Sequence, residues 1–259
     1  MRVILIIAFL LQVSFSTGQE ISENTYTLQE ALKTAFSMNP SYDRKKLAYE
    51  VKSAWHFWLF RIHKWHTLEE YQYMLGDLNR IATLRYQSGD VGFYETSALL
   101  EELADIQTSA AISANEIEIS HNTICGLLMS NDRIIPADSV LSLYEIDKGT
   151  GMISPVEITG TKETDDSLTS RQAFIHAKSV ENKQLELDNL FIKLQFYNAY
   201  GLAHAETTIH TAQARFNAEE IDYFEFVEKL AEAYRIRLEY LEILNNYNQN
   251  AIQLEYYAY

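Results

Sequence analysis

The stretch Ala82-Thr83-Leu84-Arg85-Tyr86-Gln87-Ser88-Gly89-Asp90-Val91-Gly92-Phe93-Tyr94-Glu95 returns 130 positions later. The second copy reads Ala212-Gln213-Ala214-Arg215-Phe216-Asn217-Ala218-Glu219-Glu220-Ile221-Asp222-Tyr223-Phe224-Glu225. Alanine, arginine, an aromatic, an acid, a β-branched residue, two aromatics and a glutamate keep their order. A repeat at fixed offset means two copies of one supersecondary unit. Each copy lies between two long stretches of helical periodicity. The chain is therefore expected to be all-α: two long antiparallel helical hairpins, with the repeated segment forming their turns.

The flanking stretches carry this reading. Thr27-Leu28-Gln29-Glu30 has capping-box spacing, and Leu28, Ala31, Leu32 and Ala35 then share one helical face. Asn39-Pro40 ends that short helix, because the residue before proline avoids the α region. From 41 to 88 there is no proline and Gly76 is the only glycine. Leu47, Val51, Ala54, Trp58, Ile62 and Trp65 recur at helical steps, and Leu68, Tyr71, Leu75, Leu78, Ala82 and Arg85 continue them. A continuous helix over this span would run about 70 Å. Gly89 is placed to stop it in the left-handed conformation, and Asp90 to cap the next helix.

The return leg, 93–130, has Leu99, Leu100, Leu103, Ile106, Ala110, Ile117, Ile124 and Leu127 as its expected buried stripe. Residues 131–167, with Pro136, Gly149, Gly151 and Pro155, read as an irregular inter-repeat linker carrying one short strand at 156–158. The second hairpin spans 168–259. Its first helix starts near Ser167 and runs to about Asn217, on a stripe of Phe174, Ala177, Leu185, Leu187, Leu190, Leu194, Tyr197, Ala205 and Ile209. Phe226, Leu230, Ala233, Ile236, Tyr240, Ile243, Leu244, Tyr247, Ile252 and Leu254 mark the last leg.

The N-terminus reads as a signal peptide, 1–18. Arg2 precedes a short apolar run, and Ser16-Thr17-Gly18 sets small residues before a cut at Gln19. The first hairpin repeat is then 19–130. Removing 1–18 takes away one arginine and no acid, so the net charge moves from −15 to −16. That balance argues against nucleic acid, which needs basic patches. The single cysteine, Cys125, sits in an apolar run and reads as core.

These residues resemble a known family. The pattern Ala82-x-x-Arg85-Tyr86-x-x-Gly89-Asp90 with Glu95, followed by a Leu/Ala-rich helix, is similar to TolC-type outer-membrane efflux proteins, nearest the branch serving heavy-metal RND pumps. Leu28-x-x-Ala31-Leu32-x-x-Ala35-x-x-x-Asn39-Pro40 matches the family's opening helix. The run Glu220 to Phe226, then Tyr240-Leu241-x-x-Leu244-Asn245-x-Tyr247-Asn248, matches its last hairpin. Together these cover most of the mature chain.

The resemblance implies a TolC-like periplasmic coiled-coil domain, in the periplasm or at the outer membrane, within a tripartite export system. Its implied partners are a periplasmic adaptor and an inner-membrane RND-type pump, its candidate assembly is a homotrimer, and its cargo class is metal cations. It implies docking on the adaptor through the hairpin tips: Arg85, Tyr86, Gly89, Asp90, Val91 and Gly92 in the first repeat, and Arg215, Phe216, Glu219, Glu220, Ile221 and Asp222 in the second. The chain departs from the family in two ways. The strands that build the family's barrel are not visible in either repeat, and Glu219 stands where the first repeat has Gly89.

Other chemistry is thin. His63 and His66 share a helix face at i, i+3, and imidazole suits zinc and copper. The interleaved Trp55, Trp58 and Trp65 equally suggest an aromatic packing seam. Glu69/Glu70, Glu101/Glu102 and Glu219/Glu220 are adjacent pairs, which diverge on a helix and form no facing dyad. No phosphate loop, zinc-spaced cysteine set or nucleophile elbow appears. Neither an enzyme nor a bound cofactor is expected. The alternative reading is a soluble periplasmic interaction or metal-sequestering protein on the same scaffold, with His63 and His66 as its ligands.

Overall fold

The computed structural model describes residues 23–89, 92–138, 140–146 and 167–258. The signal segment, Asp90, Val91 and the short strand expected at 156–158 lie outside the described residues. The chain order is β1 (Glu23–Tyr26), α1 (Leu28–Met38), α2 (Arg44–Ser88), α3 (Phe93–Leu128), β2 (Arg133–Pro136), α4 (Ser167–Phe196), a π-helical turn (Tyr197–Gly201), α5 (Leu202–Asn217) and α6 (Tyr223–Ala258).

The local signals act as expected at the first helices. The Thr27 hydroxyl accepts from the Glu30 N–H, and the Glu30 carboxylate accepts from the Thr27 N–H, which closes the capping box. The Asn39 amide donates to the Ala35 carbonyl at 3.0 Å and to the Leu127 carbonyl at 3.1 Å. It thereby satisfies the ends of two helices and ties α1 to α3. Asp43 caps α2 by accepting from the Lys45 and Lys46 N–H groups.

The long helices form one layer in the order α3, α2, α6, then α4 with α5. The core runs between them. Near its middle, Leu47, Val51, Trp55, Trp58 and Leu59 meet Ile124, Leu128, Leu194, Ile243 and Leu244. Towards the turns, Tyr71, Leu75, Leu78 and Ala82 meet Leu99, Leu103, Phe226, Leu230 and Tyr234. Tyr71 and Tyr234 stack at 4.4 Å between ring centroids, joining the two hairpins.

Several expectations need correction. Leu100, Phe174 and Leu185 were placed in buried stripes, yet they are 51, 57 and 56% exposed. Their helices are the outermost of the layer, so only one side of each is covered. Gly92, not Asp90, occupies the N-cap of α3, with no side-chain bond. The helix expected without interruption from Ser167 to Asn217 contains the π turn. Buried Leu187 and Leu194 are seven residues apart, as are Ala205 and Ala212, but Tyr197 to Ala205 is eight. The wide turn absorbs that extra residue and keeps the stripe facing inward. Gly201 permits it: a Cβ there would lie 2.8 Å from Tyr197 Cδ1.

The linker is more ordered than its composition suggested. β2 pairs in parallel with β1, Asn24 facing Ile134. Residues 140–146 then lie along the helices with Leu141 and Tyr144 buried. Pairing over so long a sequence separation leaves no local signature. Among the described residues these two strands, of four residues each, are the only ones.

Candidate functional site

The two repeated turns lie side by side at one end of the layer. In the first, Gly89 stops α2 at φ 84°, its N–H bonding to the Tyr86 carbonyl at 3.1 Å. In the second, Glu219 takes the same left-handed conformation at φ 58°. The Glu219 N–H bonds to the Phe216 carbonyl at 3.0 Å, and the Glu220 N–H to the Arg215 carbonyl at 2.9 Å. That pair of bonds is a Schellman motif. The position where the repeats differ in sequence is thus where they agree in backbone. Asp222 then caps α6, its carboxylate accepting from the Glu225 N–H at 2.8 Å.

Phe216 stacks on Phe226 at 4.7 Å and meets Tyr223 edge-on at 4.8 Å. Ile221 and Tyr223 are buried against Leu78, Ala82 and Leu99 of the first hairpin. The Arg85 guanidinium sits 5.9 Å from the centre of the Tyr223 ring, a cation–π contact joining one turn to the other. Arg215 is held by Glu225 at 3.2 Å and Glu220 at 3.6 Å. These pairs are exposed and contribute little to stability; they fix where the charges point.

The expected tip residues therefore divide. Ile221 and half-buried Phe216 face inward and build the turn. Arg85, Tyr86, Gly89, Gly92, Arg215, Glu219, Glu220 and Asp222 are exposed. The reading of the sequence omitted Leu84 and Phe224, which are 58 and 54% exposed at the same end. Their place inside the repeat was the available signal. The described exposed residues at this end mix both signs of charge with apolar side chains.

His63 and His66 are engaged separately. His63 Nε2 accepts from the Leu141 N–H at 3.1 Å, so its lone pair is already in use. His66 instead lies 3.9 Å from Glu69 and packs on Trp65. Among the described residues no group of three or more His, Cys, Asp or Glu side chains is placed to hold a metal ion.

Comparison with known proteins bears on the fold. No protein-family model matches the sequence, and no curated protein does. Solved structures do. CusC, described in terms of folding and transmembrane channel formation, superposes with a TM-score of 0.61 at 11% identity, covering 88% of this chain and 70% of that one. The Campylobacter jejuni CmeC outer membrane channel gives 0.66 at 10% identity, covering 89% and 65%. The chain has the helical fold of these channel proteins. At this identity the likeness extends to the fold alone, and the chain spans about two thirds of their length.

Proposed function

We propose that this chain is a channel-type component of an export system, assembling as a ring of copies and docking through its turn end on a periplasmic adaptor. One observation carries the ring: the layer has two uncovered edges. On α3, Ile112 and Ile119 share a face and are more than half exposed; on α4, Leu185, Ile192 and Phe196 do the same. A helix edge with an apolar stripe needs a partner, since packing supplies most helix stability. Two different edges on one molecule favour head-to-tail association, which closes into a ring when the rotation between copies closes. A homotrimer is the assembly that the resemblance names.

Docking falls to the exposed part of this turn end: Arg85, Tyr86, Gly89, Gly92, Arg215, Glu219, Glu220 and Asp222. Asp90 and Val91 belong to the same proposed surface by sequence. The adaptor partners an inner-membrane RND-type pump, and this chain works at the outer membrane or in the periplasm. The resemblance to the heavy-metal branch makes metal cations the first cargo class to test. The alternative metal-sequestering reading has less behind it, because His63 Nε2 already accepts from the Leu141 N–H.

Sedimentation of the mature chain, with fractionation of cells, tests the proposal. A closed oligomer recovered with the outer membrane, or bound to the adaptor, supports it. A monomer at high concentration that ignores the adaptor hairpin overturns it.

A further inference from the structure

The segments 132–138 and 140–146 cross the layer like a strap, and the helices hold them partly by hydrogen bonds to the backbone. His121 Nε2 on α3 accepts from the Ile134 N–H at 3.1 Å. His63 Nε2 on α2 accepts from the Leu141 N–H at 3.1 Å. Asn248 on α6 accepts from the Tyr144 N–H at 2.8 Å and donates to the Ser142 carbonyl at 2.9 Å. Three pins on three helices thus tie the link between the repeats to both hairpins. Ile134 and Leu141 join the main core through this attachment.

We propose that His63 and His121 form an acid-sensitive clasp that releases the strap at Ile134 and at Leu141 when they are protonated. An imidazole nitrogen accepts a hydrogen bond only while it is unprotonated. Protonation converts both Nε2 atoms to donors facing N–H groups, which loses each bond and opposes two donors. Asn248 does not titrate, so the strap stays pinned at Tyr144. Release is therefore local, and it frees the side of the clasp that bears β2.

Arg61 on α2 donates to the Glu116 carbonyl and the Ser120 hydroxyl beside His121, and Arg133 precedes Ile134 on the strap. Next to His121 are the Cys125 thiol, 3.5 Å from Nε2, with Glu118 on α3 acting on that thiol, and the Trp58 ring from α2. Burial pushes the Cys125 thiol up, so it stays protonated. On the strap, Asp132 accepts from Asn24 of β1, and Asp138 accepts from the Leu28 N–H at 3.4 Å. Lys52 and Lys64 on α2 are paired with Glu255 and Glu242 of α6. His56, packed edge-on to Tyr144, is held neutral by burial and takes no part in the switch.

Amide hydrogen exchange on the mature chain tests the clasp, with protection factors compared between about pH 7.5 and about pH 5.5. Protection at Ile134 and Leu141 is expected to fall roughly tenfold relative to Tyr144 and to the middle of α2. In a His63→Gln/His121→Gln variant the amide oxygen accepts at either pH, and the loss should vanish. If that variant misfolds, the single changes serve: His63→Gln should protect Leu141 alone, and His121→Gln Ile134 alone. Unchanged protection, an equal loss at Tyr144 and α2, or Gln variants as acid-sensitive as the parent would each overturn the proposal.

Discussion

Glu219 holds a left-handed backbone at φ 58°, a conformation that costs a side-chain-bearing residue about 1–2 kcal/mol. Gly89 meets the same demand without that cost at φ 84°. Glu219→Gly should therefore raise the urea midpoint by about 1 kcal/mol of stability, with some offset from the freer unfolded chain. Gly89→Ala should lower it by a similar amount. Equal midpoints for all three proteins would contradict the strain reading.

His56 sets a second residue-scale expectation. Burial pushes it down to about 4. The unfolded chain binds a proton near pH 6.5 while the folded chain does not, so its effect is absent above that value. Stability should fall as pH drops from about 6.5 to about 4, by about 3 kcal/mol in all. Replacing His56 with Gln should flatten that part of a pH series of denaturant midpoints.

At the scale of the element, the π turn is the most instructive case. Helical periodicity identifies an apolar stripe on either side of it. The break lies in the eight-residue step between Tyr197 and Ala205, which a plain helix would rotate out of line. Gly201→Ala puts a methyl group 2.8 Å from the Tyr197 ring. Either the ring moves from its pocket or the turn reverts to α geometry and misaligns α5. A loss of about 1–3 kcal/mol is expected, read as a lower melting temperature. An unaltered melting curve would show that Tyr197 has room to give. The strap teaches a complementary lesson. Its composition marks it as non-helical and nothing more, because His121, His63 and Asn248 come from three separate helices.

At the scale of the whole molecule, the uncovered edges and the acidic charge act against each other. Apolar stripes on α3 and α4 favour association, while a net charge of −15 repels like copies. Raising the salt concentration should therefore strengthen self-association, since screening weakens the repulsion and leaves apolar burial intact. Ile192→Glu should weaken it by tenfold or more, about 1.4 kcal/mol or above. Sedimentation equilibrium reads both effects. The same variant should leave the fold of the isolated chain intact, because Ile192 is already 63% exposed.

The sequence alone determined the helical hairpins, the ends of α1 and the stop of α2. Those features rest on interactions within a few residues: the Thr27–Glu30 box, the Asn39-Pro40 stop, Gly89 and a helical apolar period. Tertiary structure decided what depends on partners distant along the chain. It chose which apolar faces are covered, leaving Leu100 and Leu185 outside. It turned His63 from a candidate ligand into an acceptor for the Leu141 N–H. The physical reason is the same throughout: a side chain states what it can bury or bond, and only the packed neighbours state with whom.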